Sequence, residues 1–120
     1  MKISVVIPMY GCRAAVEELY NRLKQSISKL TDDFEIITTY ENSRHCKPNP
    51  DYYREILSKR GLKPEECAMV GNDVGEDMIA ETLGMRVFLL TPCLINKTGT
   101  DISRYPNGGF PELLEFIRGL

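Results

Sequence analysis

The sequence AMVGNDVGED, residues 68–77, joins a short apolar run to a turn that holds two glycines and three acidic residues. Ala68–Val70 predicts a strand, and residues 75–83 predict the helix that follows it, which Gly84 ends. A strand that passes through a short turn into a helix is the unit from which α/β folds are built. This stretch therefore places the chain among the α/β proteins.

The alternation of strand and helix continues on both sides of this stretch. Apolar runs and apolar residues three and four apart predict further strands at 3–7, 34–40 and 86–90, and helices over 16–30, 50–60 and from 111 onward. Residues 92–109 hold Pro, Gly, Asn and Thr and predict a loop. Strands separated by helices pair in parallel, with helices on both faces of the sheet. We therefore expect one α/β domain over 1–120, a three-layer, Rossmann or flavodoxin-like sandwich with a four-stranded parallel sheet.

The centres of the four strands supply the predicted core. Its members are Val5, Ile7, Ile36, Val70 and Phe88. The substitution Val70→Asp is then expected to bury an unpaired charge, which lowers the free energy of unfolding by several kcal/mol.

Composition limits the partners and the compartment. The 15 Lys and Arg residues against 17 Asp and Glu give a net charge of −2, whereas nucleic-acid binding needs a dense positive field. No apolar run approaches the ~20 residues of a membrane span, and the run at 3–6 is too short for a signal peptide. Wide spacing of Cys12, Cys46, Cys67 and Cys93 favours reduced thiols in the cytoplasm over disulfides or a zinc site. The sequence sets no oligomeric state.

Polar residues follow the predicted strands at the sheet edge where α/β folds bind ligands. After the third strand, the side chains of Asn72, Asp73, Glu76 and Asp77 supply oxygen atoms of the kind that Mg²⁺ prefers. The alternative is that Asp73 caps the following helix and that the two other acids complement its dipole. Lys47 also has two interpretations: it neutralises a phosphate, or it is a solvated lysine before a helix.

Two stretches together resemble the haloacid dehalogenase-like (HAD) hydrolase superfamily. They are KPNPDYY at 47–53 and MVGNDVGEDMIA at 69–80, and LGM follows at 83–85. The resemblance runs from about residue 34 to the C-terminus. It implies that the first stretch supplies a lysine which steadies the nucleophile and the phosphate, and that the second holds Mg²⁺.

The resemblance assigns a role to each candidate residue. Lys47 is the expected catalytic and phosphate-binding residue, with Tyr10 and Gly11 beside it at the end of the first strand. The expected metal ligands are Asp73 with Asp77 or Glu76, and Asn72 through its amide oxygen.

The first 36 residues resemble the start of a family 2 glycosyltransferase. The stretches that support this are KISVVIPMY at 2–10, EELYNRL at 17–23 and DDFEII at 32–37. We therefore expect a chimera of a glycosyltransferase-like segment, 1–36, and a HAD-like segment, 37–120. In the HAD fold the nucleophile strand lies between two strands that can pair directly without it, which predicts the strand order 2-1-3-4.

The HAD resemblance implies an ancestral Mg²⁺-dependent phosphatase that acts on a small phosphorylated molecule. The Asp-x-Asp pair of that family, which holds the nucleophile, does not occur in the sequence, so we expect weak or no catalysis and weak Mg²⁺ binding. A nucleotide-sugar-binding remnant of a glycosyltransferase and a non-catalytic α/β module are the alternatives.

Overall fold

The computed structural model describes residues 3–9, 13–32, 34–40 and 49–120. It divides into two compact units, Met1–Asn42 and Ser43–Leu120. The single domain over 1–120 stays a prediction. No helix among the described residues is long and apolar enough to span a membrane.

The first unit is one β-α-β motif. It consists of β1 (Ile3–Met9), α1 (Arg13–Ile27) and β2 (Phe34–Tyr40). The two strands pair in parallel, with Ile3 opposite Phe34 and Met9 opposite Tyr40. The predicted strands and the predicted helix of this unit are therefore confirmed as elements, but α1 begins and ends three residues earlier than the predicted 16–30. The burial of Val5, Ile7 and Ile36 lies outside the described residues.

The second unit contains a three-stranded parallel sheet. Its main elements are α2 (Pro50–Arg60), β3 (Ala68–Gly71), α3 (Val74–Asp77), β4 (Arg86–Leu90), β5 (Asn107–Gly108) and α4 (Phe110–Arg118), with 3₁₀ turns at Pro64–Glu66, Met78–Leu83 and Ile102–Arg104. The strand order is β3-β4-β5. The pairs β1–β2 and β3–β4 agree with the predicted order 2-1-3-4, and the remaining pair of that order, β1–β3, stays a prediction.

The ends of α2 are set by local chemistry that the sequence shows. The Asn49 side chain accepts a hydrogen bond from the Asp51 backbone N–H at 3.0 Å, and Pro50 occupies the first turn. Gly61 follows the helix with a φ of 63°, a left-handed conformation that glycine adopts without a steric penalty. The predicted boundaries of this helix are confirmed.

Strand β4 is packed on both faces. Val87 and Leu89 belong to the main apolar cluster, together with Tyr52, Tyr53, Val74, Met78, Ala80 and Tyr105. Phe88, 2% exposed, points to the opposite face because side chains alternate along a strand. On that face, the centroid of the Phe88 ring lies 5.2 Å from the centroid of the Phe116 ring in α4. The predicted burial of Phe88 is confirmed.

Three predictions differ from the structure. Val70 is 36% exposed instead of buried, because β3 forms the edge of the three-stranded sheet while α4 packs against β4. The predicted helix over 75–83 is one turn of α-helix followed by a 3₁₀ helix. The predicted loop contains β5, which pairs with the end of β4.

Candidate functional site

The acidic turn, defined here as Gly71–Asp77, is closed by the buried carboxylate of Asp77. This side chain is 4% exposed, and its Oδ2 accepts the backbone N–H groups of Asn72 at 3.0 Å and Asp73 at 3.1 Å. A Cβ atom at Gly71 would overlap the same carboxylate. Gly71 is therefore required for the close approach that lets Asp77 reach back to the start of the turn.

Asp73 caps helix α3. Its Oδ1 atom accepts the backbone N–H of Gly75 at 2.9 Å and that of Glu76 at 3.0 Å. These two donors belong to the first turn of the helix, which has no intrahelical acceptor for them. The capping alternative for Asp73 is thus observed, and both bonds use the same one of its two oxygens.

Asn72 connects the acidic turn to residues after β4. Its side-chain Nδ2 donates to the carbonyl of Cys93 at 2.8 Å. Its own carbonyl accepts the Ile95 backbone N–H at 2.8 Å, and the Ile95 carbonyl accepts the Val74 N–H at 3.0 Å. The last two bonds form an isolated parallel bridge between Asp73 and Ile95.

Tyr53 connects helix α2 to the acidic turn from another side. The side chain is 4% exposed, and its hydroxyl donates to the carbonyl of Glu76 at 2.7 Å. Burial raises the pKa of Tyr53 well above its usual value, and the negative charge of Asp77 adds to this effect. The phenol therefore stays protonated and keeps donating its hydrogen bond.

The donor atoms of the turn fit a cation only in part. Among the described residues, no group of three or more His, Cys, Asp or Glu side chains is placed to hold a metal ion. Asp77 is buried in the turn, and the Glu76 residue is exposed. The second oxygen of Asp73 is a ligand of the right chemistry, because Mg²⁺ often takes one or two carboxylates and keeps several waters. The four-residue ligand set stays a prediction.

Several predicted residues lie outside the described part of the chain. These are Lys47, Tyr10 and Gly11. The structure therefore brings Asn72, Asp73, Glu76 and Asp77 together in one turn, and the phosphate-binding role of the other three stays a prediction.

Sequence patterns did not indicate the contacts of Tyr53 and of the segment Cys93–Ile95 with the acidic turn. Tyr53 stands at the end of the stretch KPNPDYY, and no pattern in the sequence pairs it with Glu76. The segment lies in the predicted loop, where its position after a strand was the one available signal.

The fold and the acidic turn together define a structural class of protein. The chain is an α/β protein with parallel strands and an acidic turn at the carboxyl end of one of them. A family model described as haloacid dehalogenase-like hydrolase matches residues 12–80, which is more than half of the chain. The chain belongs to the haloacid dehalogenase-like hydrolases.

Curated relatives align with only part of the chain. Pyrophosphatase PpaX of Bacillus cereus (strain AH820) is 38% identical over 47 residues, which are 39% of this chain and 22% of PpaX. Putative phosphatase YhcW of Bacillus subtilis (strain 168) is 33% identical over 61 residues, which are 51% of this chain and 28% of YhcW. The matches therefore span about a quarter of the length of these relatives.

A solved structure shares the fold. A "predicted phosphoglycolate phosphatase" from Haemophilus somnus 129pt superposes with a TM-score of 0.55 at 20% identity, over 87% of this chain and 56% of that one. The family match begins at residue 12, inside the segment that resembles glycosyltransferases. These findings therefore give no support to the glycosyltransferase resemblance or to a junction near residue 36.

Proposed function

We propose that this chain is a phosphate-binding module of the HAD type, descended from a Mg²⁺-dependent phosphatase and weak or inactive in turnover. The observation that supports the proposal is the acidic turn at the carboxyl end of β3 in a chain that belongs to this family. Ligands of open α/β folds bind at this end of the strands. The expected ligand is a small phosphorylated molecule.

The cation would be held chiefly by Asp73. Its Oδ1 is used by the helix cap, so Oδ2 is the oxygen for the ion, and Glu76 adds a second carboxylate from an exposed position. Asp77 contributes by holding the backbone of the turn in place through its two N–H contacts. A bound Mg²⁺ supplies positive charge that offsets the charge of a phosphate. Lys47, in the stretch before α2, supplies a further cation to the phosphate.

We expect turnover by this chain to be weak or absent. Phosphoryl transfer through a covalent intermediate needs a carboxylate nucleophile fixed opposite the cation. The sequence contains no Asp-x-Asp pair, and Asp73 and Asp77 are engaged by backbone N–H groups. We therefore propose binding without efficient hydrolysis.

The proposal includes the arrangement of the strands. If β1 paired with β3 as the predicted order 2-1-3-4 requires, at the edge where Val70 is exposed, the sheet would have five strands, because β5 pairs with the other side of β4. This pairing would bring Tyr10 and Gly11, which follow β1, to the carboxyl end of the sheet, where the acidic turn also lies.

An amide NMR titration with Mg²⁺ tests the binding site. Millimolar Mg²⁺ should move the resonances of residues 71–78 first, and Asp73→Ala should abolish these shifts. Asp101→Ala is the matched control, because Asp101 also caps a short helix, through the Ser103 N–H at 3.0 Å, but lies outside the acidic turn. If Mg²⁺ moves nothing near Asp73, the turn is only a helix cap and the proposal fails.

Hydrolysis of an aryl phosphate with Mg²⁺ tests the limit on turnover. The wild-type rate should stay close to that of Asp73→Asn and of the reaction without protein. Robust hydrolysis that depends on Asp73 would overturn the proposed inactivity and make the chain an active phosphatase.

A further inference from the structure

The backbone after β4 is fixed beside the acidic turn, yet it keeps two side chains exposed. Cys93 is exposed, and Ile95 is 40% exposed, among the most exposed large apolar residues of the described chain. Leu94, between them, packs against the main apolar cluster. Cys93 lies in a turn that the Leu94 N–H closes by donating to the Thr91 carbonyl at 3.2 Å, and Ile95 then pairs with Asp73 in the isolated bridge.

The position of residues 93–95 against the acidic turn depends in part on the side chain of Asn72. Two of the three hydrogen bonds between the turn and the segment are backbone bonds, which any residue at position 72 could form. The third, from Nδ2 to the Cys93 carbonyl at 2.8 Å, is specific to the amide. An aspartate at position 72 would place an acceptor against an acceptor, so a ligand carboxylate could not replace this contact.

The residues after this segment, 96–100, are closed by their own hydrogen bonds. The Asn96 side chain donates to the Thr100 carbonyl at 2.8 Å and accepts the Thr100 N–H at 3.1 Å. The Thr91 N–H donates to the Gly108 carbonyl at 3.0 Å. Ordering a loop in this way costs conformational entropy. The ordered loop leaves the apolar side chain of Ile95 exposed to water beside the acidic turn. Binding sites for small molecules combine such apolar walls with a few placed polar groups.

We propose that Asn72 is a positioning residue and not a cation ligand, and that it holds Cys93 and Ile95 beside Asp73 as the apolar wall of the site. The wall contacts the organic group of a phosphate monoester. The wall carries no charge, so it favours an apolar ester group on the bound phosphate over a second phosphate. This inference rests on the proposed function, because it assumes that the phosphate binds at the acidic turn.

Binding of three anions in the presence of Mg²⁺ tests the wall without requiring turnover. Inorganic phosphate reports the anion site alone, methyl phosphate adds a small ester group, and phenyl phosphate adds an apolar ring. We expect phenyl phosphate to bind about fivefold more tightly than methyl phosphate, which corresponds to roughly 40 Å² of apolar surface buried on the ring and the wall. Ile95→Ala should bring the two dissociation constants to within a factor of about two.

Two asparagine variants test the role of Asn72. Asn72→Ala should remove the preference for phenyl phosphate and raise the alkylation rate of the Cys93 thiol, read by peptide mass mapping, while the Mg²⁺-induced shifts at Asp73 persist. Asn96→Ala is the matched control, since it removes a side-chain amide from the same loop without touching the turn. It should leave the Cys93 alkylation rate unchanged.

The outcomes separate this inference from the proposed function. Equal binding of methyl and phenyl phosphate to the wild type overturns the wall and leaves the phosphate site standing. Loss of the Mg²⁺ shifts in a folded Asn72→Ala protein makes Asn72 a cation ligand and overturns its positioning role. If no anion binds, the proposed function fails and the wall fails with it. Should Asn72→Ala not fold, Ile95→Ala decides the question of the wall, because Ile95 lies at the surface.

Discussion

Replacing Gly71 by alanine should destabilise the protein through the buried carboxylate of Asp77. The added methyl group would occupy the space of that carboxylate, so Asp77 must leave the position from which it accepts two backbone N–H groups. Overlap in a packed site costs about 1–3 kcal/mol, and the loss of at least one of these two hydrogen bonds to a charged group costs about 1.5–3 kcal/mol. We expect the free energy of unfolding to fall by about 3–5 kcal/mol.

The matched control is the same substitution at Gly75. A Cβ atom there would meet only Oδ1 of Asp73 at 3.6 Å, which is ordinary van der Waals contact, and Gly75 lies within helix α3. Alanine should therefore stabilise the protein by about 0.5 kcal/mol through helix propensity and the entropy of the unfolded chain. Thermal unfolding measures both variants, and Gly71→Ala should lower Tm by about 10 °C or more. A Gly71→Ala protein that melts within about 2 °C of the wild type would refute this account of the turn.

Three further predictions follow from burial and protonation. Phe88→Ala should lower the free energy of unfolding by about 3–5 kcal/mol in urea titrations, because this ring is 2% exposed between the sheet and α4. Val70→Asp should lower it by only about 1 kcal/mol, because this side chain is 36% exposed; a loss of several kcal/mol would restore the original expectation of a buried strand. Above pH 10.0, the ordinary pKa of tyrosine, the unfolded chain releases the Tyr53 proton while the folded chain keeps it. The stability contributed by this group is complete below that pH and falls by about 1.4 kcal/mol per pH unit above it, and Tyr53→Phe should remove this part of the alkaline loss.

The features that the sequence predicted correctly depend on neighbouring residues. The bounds of α2 follow from the Asn49 cap, Pro50 and Gly61, all of which act within a few residues. The strand Arg86–Leu90 matches its predicted bounds because five consecutive residues rich in apolar side chains suit burial on both faces. Such interactions are encoded in the order of the residues themselves.

The features that it missed depend on contacts between distant residues. Tyr53 and Glu76 are 23 residues apart, and Asn72 and Cys93 are 21 apart. Neither pair belongs to a repeating pattern, so only the packing of α2 and of the segment after β4 brings them together. The exposure of Val70 has the same origin, because an apolar run does not show which strand forms the edge of a sheet.

The closure of residues 96–100 by one asparagine has a consequence for protein engineering. Asn96 binds both the N–H and the carbonyl of Thr100, so the chain enters and leaves this hairpin-like tip at neighbouring points. The tip contains Gly99, whose added Cβ would meet nothing within 4 Å. Lengthening a closed surface loop costs little, since the entropy of closure grows only slowly with length. A tag, a fluorescent label or a second domain inserted between Lys97 and Gly99 should leave the acidic turn in place.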